Sequence, residues 1–212
     1  MRPPQDWRRA RATLAIAAVT VVAFLLVELA SAGERASVWG GFFPYRFGQE
    51  SYGSGAPIWL TPLTATLLHA GFLHILFNLV MLLVCGRSTE NVLGPVAVVI
   101  LYVTGAYAAA AGQYVLDPTS VNPMIGASGA VSAVLGAYAM LFGRNKVKVK
   151  NPTLALWLNA LWLIAGWIVL QIVMGIVTRR PDLNIAIGAH IGGFLVGIAL
   201  ARPLLILRYR GA

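Results

Sequence analysis

Six long apolar runs, broken by short polar or basic stretches, are what most restricts this chain. They cover about 13–29, 67–85, 96–114, 127–142, 154–177 and 185–206. Each approaches the roughly 20 apolar residues that a helix needs to cross a hydrocarbon core about 30 Å thick. A soluble domain of this length could bury one core, but not six such runs. Composition agrees: 58% of residues are hydrophobic and 11% charged, where soluble proteins carry about a quarter charged residues. In lipid every backbone N–H and C=O must be paired within the protein, which leaves helices or a closed barrel. The runs are continuously apolar rather than alternating, which argues against a barrel. The expected fold is all-α, a polytopic membrane bundle of six transmembrane helices.

The net charge of +9 invites a nucleic-acid reading, but the cations sit beside the spans. No basic patch interleaved with aromatics stands apart from them, so lipid, not nucleic acid, is the expected partner. Arg2, Arg8, Arg9, Arg11, Arg87, Arg144, Lys146, Lys148, Lys150, Arg202, Arg208 and Arg210 fall on one side of the expected topology. Arg35, Arg46, Arg179 and Arg180 fall on the other. The positive-inside rule then places both termini in the cytoplasm. A basic start, an apolar run and Ala30-Ser31-Ala32 also resemble a cleavable signal peptide, a reading that would leave five spans. The organisation expected is a basic cytoplasmic tail (1–12), one membrane domain (13–207) and a short cytoplasmic tail (208–212). Within it, residues 30–66 form a long extracytoplasmic loop, rich in Gly, Pro and aromatics, that reads as folded or interfacial. A prokaryotic plasma membrane is the expected location. The single cysteine, Cys85, reads as a buried apolar side chain, and oligomeric state is not encoded legibly.

Ionisable and polar groups inside spans are costly, and mark functional sites by default. The three histidines, His69, His74 and His190, all lie in or beside spans. His74 and Asn78 are four residues apart and share a helix face, offering two hydrogen-bond donors. His69 alone reads rather as a histidine satisfied by a neighbour or a loop carbonyl. Ser128 stands between Gly126 and Gly129 at the start of the fourth span. There the free N–H groups and positive end of the helix dipole favour a developing oxyanion. Taken alone, such a stretch more often serves packing. His190 shares its face with Gly193 and Gly197, which permit close helix approach. If that face meets the small-residue face of Ser128, Ser132, Gly136 and Ala139, serine and histidine come within reach. A serine hydroxyl needs an adjacent base to become nucleophilic, and an imidazole suits that task near neutral pH. In the six-span topology all three polar segments begin on the extracytoplasmic side, at similar depth. The acids Asp6, Glu28, Glu34, Glu50, Glu90, Asp117 and Asp182 offer no supported third member, so a dyad is expected.

H-x4-H-x3-N at 69–78, G-x-S-G at 126–129 and A-H-x-G-G at 189–193 together resemble the rhomboid intramembrane serine proteases, over about residues 60–207. The resemblance implies Ser128 as nucleophile and His190 as base. It implies His74, Asn78 and the Ser128 amide as oxyanion donors, with His69 supporting the adjoining loop. It also implies close packing at Gly193 and Gly197, a structural turn at Glu90-x-x-x-Gly94, and lateral substrate access beside the fifth span. The substrates implied are transmembrane segments of other membrane proteins, cut near the extracytoplasmic face. No metal or cofactor is implied, and no H-E-x-x-H motif is present. Two positions depart from the family pattern. Trp59 is followed by Leu60 where a Trp-Arg pair is common, and Ser132 stands where an aromatic commonly stacks on the catalytic histidine. Trp157, Trp162 and Trp167 of the fifth span read as lipid-facing or interfacial. The alternatives are a non-enzymatic relative that binds or escorts membrane proteins, and a transporter. The first would be expected to lack the serine or histidine, and the second shows no internal repeat.

Overall fold

The computed structural model describes residues 6–47, 55–143, 149–177 and 186–210. Arg2, Glu50, Arg144, Lys146, Lys148, Arg179, Arg180 and Asp182 lie outside the described residues. Among the described residues the regular secondary structure is helical, apart from one isolated β-bridge. Its main helices are α1 (Arg11–Leu29), α2 (Gly33–Gly40), α3 (Phe72–Leu93), α4 (Pro95–Leu116), α5 (Ser128–Phe142), α6 (Pro152–Val177) and α7 (Ile187–Arg208). All but α2 and α5 are long and apolar enough to span a membrane. At 1.5 Å per residue, the 15-residue α5 is only about 22 Å long, so its first residue can start well below a bilayer surface. The chain is an integral membrane protein built as a helical bundle.

The second helix is displaced from its expected span of 67–85. It begins at Phe72, after Gly71, and runs to Leu93 through a π-helical turn at Leu82–Gly86. Apolarity falls at Arg87 and Glu90, yet the helix continues because both polar groups have partners. The Arg87 guanidinium lies 4.3 Å from the Trp7 ring centroid, and the buried Glu90 carboxylate accepts hydrogen bonds from α1. Glu90 therefore lies within the helix. The turn follows at Gly94 (φ 86°), whose N–H closes on Glu90 O at 2.7 Å before Pro95 starts α4.

The centre of the bundle is α7, packed between α4 and α5. Small residues make this possible on both sides. A side chain built at Gly193 or Gly197 would run into the carbonyls of Gly129 or Ala133 on α5. One at Gly188 or Gly192 would run into those of Gly112 or Ala108 on α4. In hydrocarbon, such backbone contact is what draws helices together. By contrast α6 sits at the periphery against α7 and is largely exposed to the bilayer.

The described residues of the first loop, 30–47 and 55–66, are tied into the fold. Thr64 Oγ1 donates to Gly40 O at 2.6 Å, tying α2 to the segment before α3. Phe42 and Met124 pair as an antiparallel bridge, with N···O distances of 3.1 and 2.8 Å, and Tyr45 N donates to Ser120 O at 3.2 Å. Residues 42–45 thereby brace the loop that leads into α5.

Candidate active site

Ser128 is the first residue of α5, where amides lack intrahelical acceptors. The residues before it are fixed from two directions. Gly126 N donates to Ala65 O at 2.8 Å, and Ala127 N donates to His69 Nε2 at 3.4 Å. Gly126 has a φ of 110°, and a Cβ there would lie 2.6 Å from His74 Nε2. Both the conformation and the closeness demand glycine.

His190 sits in the first turn of α7, and its Nε2 lies 2.8 Å from Ser128 Oγ. The contact follows from the packing: with glycines between them, α5 and α7 approach closely enough for two short-reach side chains to meet. A hydroxyl held this close to an imidazole can give up its proton as it attacks a carbonyl.

His74 and Asn78 project from α3 into the same cavity as Ser128 and His190, a space of about 1110 Å³. Ala70 N donates to His74 Nδ1 at 3.4 Å. That assigns the neutral ring's proton to Nε2, the nitrogen beside Gly126. Asn78 Nδ2 donates to His74 O at 2.9 Å, which fixes the amide on its helix and leaves its second N–H for another acceptor. His69 is 92% shielded and stands behind the site, bonded to the loop. Ser132 lines the cavity wall, with Gly193 packed close to its Cβ.

The geometry thus brings Ser128, His190, His74, Asn78 and Gly126 to one place, with His69 behind them and Gly129, Gly193 and Gly197 in the helix contact that closes it. Asp117 is elsewhere engaged, accepting from Thr119 Oγ1 at 3.2 Å.

Two features escaped the sequence. Trp157 and Trp162 are exposed, at 63% and 57%, as read. Trp167 is only part-exposed: its Nε1 donates to His190 O at 3.2 Å, and its ring stacks on Phe194. Three tryptophans on one apolar helix look alike in sequence; only the α6–α7 contact separates the third. Gln113, near the end of α4, also lines the cavity, and a polar residue inside an apolar run was the signal that could have found it.

Comparison with known proteins points the same way. The Rhomboid domain matches residues 57–207, which takes in α3 to α6, α7 up to Leu207 and every residue of the cavity described above. The chain is 32% identical over 139 residues to RHOMBOID-like protein 5 of Arabidopsis thaliana, covering 66% of this chain and 42% of that protein. It is 28% identical over 145 residues to rhomboid protease GluP of Bacillus subtilis, covering 68% and 27%. It is 32% identical over 133 residues to rhomboid protease GlpG of Haemophilus influenzae, covering 63% of each. The match therefore spans less than two thirds of each of these relatives. With the domain match extending over most of the sequence, and over all the helices that build the site, the chain belongs to the rhomboid family.

Proposed function

We propose that this protein is an intramembrane serine endopeptidase that cuts transmembrane segments of other membrane proteins near the extracytoplasmic face. The observation that carries the reading is the 2.8 Å separation of His190 Nε2 and Ser128 Oγ beside a large cavity. Ser128 attacks the scissile carbonyl while His190 takes its proton, then returns it to the leaving amine. The developing oxyanion is held by the Ser128 amide, His74 Nε2–H and the free Asn78 N–H. Water then enters the cavity and hydrolyses the acyl-enzyme. The bias of cations to one side supports cytoplasmic termini, and with them a cavity mouth facing outward. Phe77 and Met81 of α3 and Trp167 of α6 supply cavity wall. The thin packing of α6 supports lateral access for a substrate helix between those two elements. A peptide bond inside an intact helix is shielded by hydrogen bonding, so substrates with helix-weakening residues near the cut are favoured.

The test is labelling by a fluorophosphonate in detergent, together with cleavage of a single-span substrate in liposomes. Wild type should label and cleave; Ser128→Ala and His190→Ala should do neither while remaining folded. A folded wild type that neither labels nor cleaves overturns the proposal and leaves the binding or escort reading in its place.

A further inference from the structure

On α5 the position one turn after Ser128 holds Ser132, not an aromatic. A Cβ built on Gly193 would lie only 3.3 Å from the Cβ of Ser132, so α5 and α7 approach closely at this turn. Support comes from another direction. Trp167 of α6 donates its indole N–H to the carbonyl of His190 at 3.2 Å. The same ring stacks on Phe194, with centroids 4.8 Å apart and planes 14° from parallel. Phe194 is 3% exposed and lies one helical turn after His190. Trp167 therefore spans the turn that carries the imidazole, bonded at one end and stacked at the other, and its ring is also part of the cavity wall.

From this geometry we propose that Trp167 is a positioning residue for His190: through the His190 carbonyl and the Phe194 ring it fixes the rotation and height of that turn of α7, and so the aim of Nε2 at Ser128 Oγ. The inference rests on the proposed protease reading. A helix that meets its neighbours through glycine has few interlocking side chains to resist sliding or rotation. A hydrogen bond and a stacked pair at the same turn restrain both motions. The small residue at 132 and the aromatic at 167 are then two halves of one arrangement, with the aromatic support for the base moved from α5 to α6.

The experiment separates the indole N–H from the ring. Trp167→Phe keeps an aromatic and removes the donor, and Trp167→His keeps an aromatic ring with an N–H. Replacing Trp167 by benzothienylalanine, through a suppressed stop codon, removes the N–H without changing the shape. Fluorophosphonate labelling rate, kcat and KM for a single-span substrate in liposomes, and the thermal midpoint would be measured for each. Loss of the donor should lower kcat and labelling rate by about 3- to 10-fold, the rate equivalent of one neutral hydrogen bond. KM should stay within about twofold of wild type on this account, and the histidine variant should recover part of the loss. If Trp167→Phe does not fold, the benzothienylalanine protein decides. Unchanged kcat and labelling in the donor-free protein, or a loss confined to KM, overturns the inference while leaving the protease reading standing. A wild type that does not label removes both.

Discussion

Glu90 closes the start of the first spanning helix through Thr13. One carboxylate oxygen, Oε2, accepts from both the amide and the hydroxyl of Thr13, at 2.8 and 2.7 Å, while Oε1 accepts from Ala12 N at 2.8 Å. The residue at the helix cap, Ala10, has no side chain able to do this. The cap is supplied instead from α3, across 77 residues of sequence, and the anion also faces the positive end of the α1 dipole. Gly86, one turn earlier on α3, lets Thr13 approach to contact distance.

Glu90→Ala should leave these donors buried without an acceptor and destabilise the protein by about 2–4 kcal/mol. Glu90→Gln, which keeps one acceptor oxygen, should cost about half as much. Thermal or SDS-induced unfolding in micelles measures both. Equal stability of all three proteins would mean that water fills the site and that the cap carries no weight.

Gly126→Ala tests the loop before Ser128. A residue with a side chain is strained at a φ of 110°, by about 1–3 kcal/mol, and its Cβ would press on His74 Nε2. The ring must move, taking its donor away from the oxyanion position. Labelling should slow at least about 10-fold, with a modest drop in thermal midpoint. A variant with wild-type labelling would show that His74 is free to move without consequence.

How much of this could be read without a structure depended on the range of each interaction. Hydropathy marks a span because every residue of a lipid-facing run contributes, so six helices were visible from composition along the chain. The boundary at Leu93 was not, because Glu90 is made tolerable by amides on α1 that no local window contains. The Ser128, His190, His74 and Asn78 set was legible because polar groups stand out against apolar runs. The second glycine face of α7, Gly188 and Gly192 against α4, was hidden: glycine spacing shows that a helix can approach something, not which neighbour lies on which side. The bond from Trp167 to His190 was hidden for the same reason, since an indole at an interface and an indole bonded to a carbonyl have one sequence signature.

The proposed oxyanion donors make separable predictions. His74→Ala and Asn78→Ala should each lower kcat by about 10²- to 10³-fold, the usual cost of one such donor, with little change in KM. Because Asn78 Nδ2 also bonds the His74 carbonyl, the two residues form one unit. The double variant should therefore lose less than the product of the two single losses. Kinetics on a single-span substrate in liposomes provide the comparison, and strictly multiplicative losses would argue against the coupling.

Two glycines on peripheral and central helices should respond in opposite directions to the same change. Around Gly166, on α6, nothing lies within 4 Å of an added Cβ. Alanine there adds no clash and removes the backbone freedom of glycine, so Gly166→Ala should be neutral or stabilise by up to about 1 kcal/mol. Around Gly197, on α7, an added Cβ would collide with the Ala133 carbonyl and come within 2.8 Å of the Ala133 Cα. These are backbone atoms of α5 and cannot swing aside, so the helices must separate. Gly197→Ala should cost about 1–3 kcal/mol as an overpacked contact. It should also lower activity, because the Ser128–His190 distance of 2.8 Å depends on the same approach of α5 to α7. Unfolding midpoints and fluorophosphonate labelling rates, measured on the two variants in the same detergent, check both halves. If Gly197→Ala kept full labelling, close α5–α7 contact would not be what holds serine and histidine together.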